Sequence, residues 1–109
     1  MREQGKDLGE AEITADENYK EIFRLEQMLL SEDIPYDLHR YWDGWQIEYP
    51  NGEERVCSVI QHFGSYGSQD DLLEIMGITR DGEPVEGWLQ AEDAFNRILA
   101  HYKGCVMKL

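Results

Sequence analysis

Two dipeptides within one run of alternating side chains constrain this chain more than anything else in it. In YDLHRYWDGWQIEYPNGEERVCSVIQHF, residues 36–63, Asp43-Gly44 and Asn51-Gly52 each separate segments rich in aromatic and β-branched residues. Such pairs are the strongest short-range signal for a two-residue hairpin turn, so three antiparallel strands follow directly. With two-residue loops, Trp42 pairs with Trp45, Arg40 with Ile47 and Leu38 with Tyr49 across the first turn. Across the second, Tyr49 pairs with Glu54, Ile47 with Val56 and Trp45 with Ser58. The period of two then gathers Leu38, Trp42, Trp45, Ile47, Tyr49 and Val56 on the core face. Tyr41, Gln46 and Cys57 fall on the other face, with His39, Glu48 and Arg55 in a row across the three strands.

The flanks supply helices. In DENYKEIFRLEQMLLSED, Tyr19, Ile22, Phe23, Met28, Leu29 and Leu30 recur with a helical period. Asp16 stands as N-cap, and the expected helix runs from Glu17 to Ser31, ended by Ile34-Pro35. Downstream, AEDAFNRILAHYK carries Ala94, Phe95, Ile98, Leu99 and Tyr102 on one stripe, with acids in its first turn and Gly104 as its stop. Between them, Leu72, Leu73, Ile75 and Met76 fit either a helical turn or a strand pairing back on VCSVIQHF. The strand, which completes a meander, is the expectation. RDGEPVEG reads as a turn-rich connection. The expected fold is therefore α+β: an antiparallel meander of three to four strands packed against an N-terminal and a C-terminal helix. One hundred and nine residues suffice for one modest core, here a single domain over residues 16–109 behind a flexible arm at 1–15.

Charge narrows the function. The chain has 23 Asp and Glu against 10 Lys and Arg, a net charge of −13. Affinity for nucleic acid comes largely from Lys and Arg neutralising phosphates, so direct nucleic-acid binding is disfavoured. An acidic surface favours a basic protein partner through long-range steering. No apolar run approaches a membrane span and no signal-type segment opens the chain, which sets a cytoplasmic location as the expectation. Cys57 and Cys105 are read as free thiols.

The candidate chemistry is sparse. His39, Glu48 and Arg55 have no nucleophile in register, and a row of opposite charges is a common way to stabilise an exposed sheet face. Cys57 and His62, five apart in one strand, point to opposite faces. His39, His62 and His101 lie on three different elements with no metal-ligand spacing, so no metal or cofactor is expected. The loop GSYGS lacks the Lys-Ser/Thr ending of a phosphate-binding loop and leads into Asp70 and Asp71, which would repel phosphate. Gly64 and Gly67 are read as shaping an exposed turn between strands. Acidic clusters recur at Glu10 and Glu12, Asp16 and Glu17, Glu32 and Asp33, Glu53 and Glu54, Asp70 and Asp71, Glu83 and Glu86, and Glu92 and Asp93. Several suit turns and helix starts, and the remainder could imitate phosphate spacing toward a basic groove, with Tyr36, Tyr41, Tyr66 or Trp88 as aromatic anchors. The expected partner-binding residues are Glu53, Glu54, Tyr66, Asp70 and Asp71.

The PNG turn, the stretch CSVIQHFGSYG and the helix start GWLQAEDAF resemble a family of small acidic proteins carried by prophages and other mobile elements of Firmicutes, over roughly residues 17–104. Some small acidic proteins of that origin are anti-CRISPR inhibitors of RNA-guided nucleases of type II systems. The resemblance implies a non-enzymatic inhibitor in the host bacterial cytoplasm that binds the basic DNA-binding surface of such a nuclease and blocks target recognition. A phage structural or regulatory adaptor acting through protein contacts is the alternative.

Overall fold

The structure, a computed structural model, describes residues 19–107. Helix α1 (Glu21–Ser31) is followed by strands β1 (Asp37–Tyr41), β2 (Gly44–Tyr49), β3 (Cys57–Gln61), β4 (Leu73–Met76) and β5 (Val85–Leu89), then helix α2 (Ala91–Met107). The strands form one antiparallel sheet in sequential order. The α+β meander between two helices is thus present, with five strands rather than three or four. The N-cap Asp16, the helix start at Glu17 and the arm at 1–15 lie outside the described residues; α1 begins at Glu21 and ends at Ser31 as expected.

One face of the sheet carries the core. Leu38, Ile47, Val59 and Ile75 pair in register across four strands. Ile47, Val59 and Ile75 form one buried cluster with Ile22, Leu25 and Leu29 of α1 and Ala94 and Ile98 of α2, and half-buried Leu38 packs against it. Each fully buried aliphatic side chain contributes roughly 1.5–3 kcal/mol. Trp45 of the same face meets Phe23 of α1 edge-on, ring centres 5.2 Å apart.

Both hairpin registers differ from expectation, for separate reasons. In the first, Tyr41 pairs with Gly44, Arg40 with Trp45 and Leu38 with Ile47, so the tip is Trp42-Asp43. The offset is even and the faces of β1 and β2 are kept. Trp42, however, moves from the expected core to the tip, where it is exposed. Gly44 is needed for close approach: a Cβ there would sit 1.8 Å from the Gln61 carbonyl oxygen of β3. In the second hairpin Tyr49 pairs with Cys57, Ile47 with Val59 and Trp45 with Gln61. Asn51 Oδ1 accepts the N–H groups of Glu53 and Glu54 (2.9 and 2.8 Å), and Asp37 Oδ2 accepts that of Gly52 (2.9 Å). Asn51 thereby builds a side-chain turn inside a long loop. The resulting shift is odd and reverses the faces of β3, so Cys57 turns into the core. Val56 packs against the core from the loop end.

Residues 72–76 resolve as strand: Ser58 pairs with Met76, Val59 with Ile75 and Ile60 with Glu74. The connection read at RDGEPVEG ends in the fifth strand. Leu89 pairs with Leu73 and Glu86 with Ile75, a bulge that places three steps opposite two and erases the period of two by which a strand is read. Helix α2 runs on through Gly104 to Met107.

Glu86 fastens β5 to α2. Arg97 donates Nη1 to Oε1 (2.8 Å) and Nη2 to Oε2 (3.0 Å), a bidentate pair, and the Arg80 N–H donates to Oε1 (2.8 Å). Arg97 foremost, then that N–H, hold the Glu86 carboxyl down at about 2, from an ordinary 4.5. A depressed folded-state pKa contributes stability that is complete above the unfolded value and is lost as pH falls through the folded one. Stability from this pair is therefore full above pH 4.5 and disappears between 4.5 and about 2. Arg97→Gln is expected to lower the urea midpoint at neutral pH, with variant and parent converging as the medium is acidified below 4.5; equal midpoints at neutral pH would refute the coupling.

Candidate protein-binding surface

An antiparallel meander has two ends. The β2–β3 and β4–β5 loops lie at one, with the α1–β1 connection. The β1–β2 tip, the glycine loop at 62–72 and the β5–α2 junction lie at the other. Glu53 and Glu54 are exposed at the first end. Tyr66, Asp70 and Asp71 belong to the second, across the length of β3, on the order of 15 Å away at about 3.3 Å per residue. The five expected contact residues are therefore not one cluster.

The glycine loop is pinned at most of its positions. Most of its N–H groups are committed to protein acceptors: Phe63 to Asp43 Oδ1 (2.9 Å), Gly64 to His62 Nδ1 (3.1 Å), Ser65 to the His62 carbonyl (2.9 Å) and Tyr66 to Glu74 Oε1 (2.8 Å). Those of Asp71 and Leu72 bond Ser68 and Gly67 carbonyls. An anion would have to displace these bonds. The reading of an exposed turn needs correction too: Gly67, at φ 98°, is buried, as are Ser65 and Ser68, while Gly64 is exposed.

Asp71 is a structural residue. Its Oδ1 accepts the N–H groups of Lys20 (2.9 Å) and Glu21 (3.2 Å) and the Gln61 amide (2.7 Å), while Gln61 Oε1 accepts the Ile22 N–H (3.1 Å). Together they cap α1, whose own N-cap position, Lys20, supplies no side-chain bond. Asp70 beside it is exposed. Asp71→Ala is expected to cost about 1–2 kcal/mol of unfolding free energy, measured by urea denaturation, with Asp71→Asn milder; a silent Asp71→Ala would remove the cap from this account.

Four large aromatic side chains stand exposed at the same end: Trp42 at 74%, Phe63 at 68%, Trp88 at 59% and Tyr66 at 56%. Asp43 organises one half of them. While its Oδ1 holds the Phe63 N–H, its Oδ2 accepts the Tyr19 hydroxyl. Burial and that carboxylate push the Tyr19 phenol up to about 12, and although burial works the other way, the donated hydrogen bonds hold Asp43 below the usual range. Tyr41 meets His62 edge-on at 5.1 Å and His62 meets Phe63 at 5.6 Å. In the other half, Tyr66 stacks on Trp88, centres 5.5 Å apart and planes 8° from parallel, and the Trp88 N–H donates to the Tyr66 carbonyl (3.2 Å). Gly87 allows that contact, since a Cβ there would lie 2.3 Å from the Tyr66 Cβ.

Of the anchors read from sequence, Tyr66 and Trp88 are exposed, Tyr41 is half-buried, and Tyr36 is half-buried with its hydroxyl on Glu26 Oε2 (2.6 Å). Trp42, expected on the core face, and Phe63, outside the expected anchors, complete the exposed set. Their signal is position: one directly precedes Asp-Gly, the other lies two residues past the last core-facing side chain of β3.

The remaining chemistry is modest. His39 Nε2 and Arg55 Nη1 each contact Glu48 (2.9 Å), and the Glu48 hydrogen bond foremost raises His39. The contacts exist but the expected cross-strand row does not: His39 pairs with Gln46, Glu48 with Asp37 and Ser58, and Arg55 lies in the β2–β3 loop, because both hairpin registers are shifted. Gln46, Ser58, Ile60 and Glu74 of that face are buried. A shallow, open depression of about 260 Å³ lies elsewhere, against Lys20, Phe23, Arg24 and Gln27 of α1 and its entry. Among the described residues no group of His, Cys, Asp and Glu could hold a metal ion, and no helix is long and apolar enough to cross a membrane. Cys57 and Cys105 are free thiols; burial pushes Cys57 up to about 12, away from nucleophilic use. Comparison with protein-family models, curated proteins and solved structures finds no match.

Proposed function

We propose that this protein is a non-enzymatic acidic inhibitor that occupies a basic, DNA-binding surface of another protein, with an RNA-guided nuclease as the specific candidate suggested by the resemblance to small acidic prophage proteins. The observation that carries the reading is the charge: −13 on 109 residues, with Glu32, Asp33, Glu53, Glu54, Asp81 and Glu83 exposed in the loops at one end of the sheet. Two arginines of that end, Arg55 and Arg80, are engaged by Glu48 and Glu86, which leaves the loop carboxylates facing solvent. A surface of this sign repels DNA and attracts the proteins that grip it. Glu53, Glu54 and Asp70 remain available as contacts, whereas Asp71 is spent on the helix cap.

The second reading, a phage structural or regulatory adaptor, is favoured by the exposed aromatic side chains, which charge mimicry alone does not require. Titrating the protein into a nuclease–guide RNA complex separates the two. An inhibitor of this kind is expected to weaken target-DNA binding about tenfold or more at low ionic strength, with the effect shrinking as salt screens the charges. Unchanged DNA affinity at low salt would overturn the inhibitor reading and leave the adaptor.

A further inference from the structure

We propose that the aromatic end of the sheet, formed by Trp42, Phe63, Tyr66 and Trp88, is the docking surface for an arginine-bearing segment of the basic partner; this rests on the reading of an acidic binding protein given above. Exposure alone would not support it. The backbone does: Trp42 has φ 57° and Trp88 φ 55°, the left-handed region that bulky side chains avoid. At the β1–β2 tip a positive φ at the first position calls for glycine, yet tryptophan stands there, three-quarters exposed. Neither ring is buried to offset the backbone cost. Trp88 recovers part of its cost in the stack on Tyr66, whereas Trp42 keeps its strain without a packing return, a mark of a functional position.

The surface is also pre-organised. Asp43 ties the hairpin tip to Phe63 and Tyr19, and the Tyr66–Trp88 stack is locked by the Trp88 N–H and by the absence of a Cβ at Gly87. A stacked pair and a loop backbone held in this way lose little entropy on contact.

Charge selects the occupant. At −13 the chain opposes a second copy of itself and any phosphate-bearing ligand. Aromatic faces within an acidic field suit cations, and arginine above lysine, because a planar guanidinium stacks on a ring while donating to carboxylates. Asp70 is exposed four residues after Tyr66 in the same loop. The protein itself shows the pairing, with the Arg40 guanidinium 4.6 Å from the centre of the Trp45 ring.

The test uses the full-length, ¹⁵N-labelled protein and an octa-arginine peptide as probe. The indole N–H signals of Trp42 and Trp88 are expected to shift on titration while that of buried Trp45 stays, with octa-lysine binding more weakly. The double variant Trp42→Gly/Phe63→Ala is expected to weaken octa-arginine binding about tenfold, and Glu53→Gln/Glu54→Gln by less than about threefold. Because glycine accepts the tip conformation, Trp42→Gly alone is expected to keep or raise the thermal midpoint. A lower midpoint would make Trp42 a stability residue and overturn the proposal. Binding kept by the aromatic variant but lost by the Glu53/Glu54 variant would place the contact at the other end, leaving the acidic-inhibitor reading intact. Self-association abolished by the aromatic variant would make a second copy the occupant. No octa-arginine binding at all would overturn the docking surface, and only the nuclease titration decides the inhibitor reading itself.

Discussion

The first turn of α1 has backbone N–H groups that need acceptors, and the described chain brings them from more than thirty-five residues away. Asp71 takes two of them and Gln61 a third, and the Gln61 amide donates back to Asp71. Gln61 is fully buried at the end of β3, and leaving such donors and acceptors unpaired would cost about 1–3 kcal/mol each. One node therefore joins the helix, the central strand and the glycine loop. With the loop fixed at both ends, its middle is carried across to β5, where Tyr66 comes to rest on Trp88. A second link runs through Glu21, whose Oε2 accepts the Ala91 N–H (2.6 Å) and an Arg24 Nη1 (2.7 Å), setting the start of α2 beside the start of α1.

Order at this end serves exposure rather than burial. The carboxylates that hold it, Asp43, Asp71, Glu21 and Glu74, are occupied with N–H and O–H donors, so they act as internal fasteners. The side chains they position are large rings left in solvent. The opposite end is the reverse: carboxylates of the loops are exposed, and Arg55 and Arg80 are paired with Glu48 and Glu86. A protein so divided can attract a basic partner at long range by its charge and hold it at short range by its rings, which are separate physical tasks with separate salt dependence.

Much of the architecture was legible in the sequence because side-chain periodicity is local. The amphipathic helices, the strand order of the first four strands and the inner-face trio Trp45, Ile47 and Tyr49 all follow from spacing. Register did not. Asn51 can either sit at a hairpin tip or bond its own loop, and only the competing acceptors around it decide which; the three-residue difference turned Cys57 from the outer face to the core. The fifth strand was hidden by its bulge, where Glu86 and Leu89 share the inner side three residues apart. The candidate surface was half legible: Tyr66 and Trp88 lie in polar, glycine-bearing contexts, whereas Trp42 looked like the next core residue of an alternating strand.

By itself the sequence determined the fold class, the two helices, the antiparallel pairing around Asp43-Gly44 and the sign of the surface, since each depends on composition or on neighbours within a few positions. Only the tertiary structure decided what the carboxylates do. Asp70 and Asp71 are adjacent and chemically alike, yet one faces solvent and the other caps a helix that begins fifty residues earlier. Whether an acid is free to meet a partner depends on which N–H groups the fold delivers to it, and that is a property of long-range packing that no local pattern encodes.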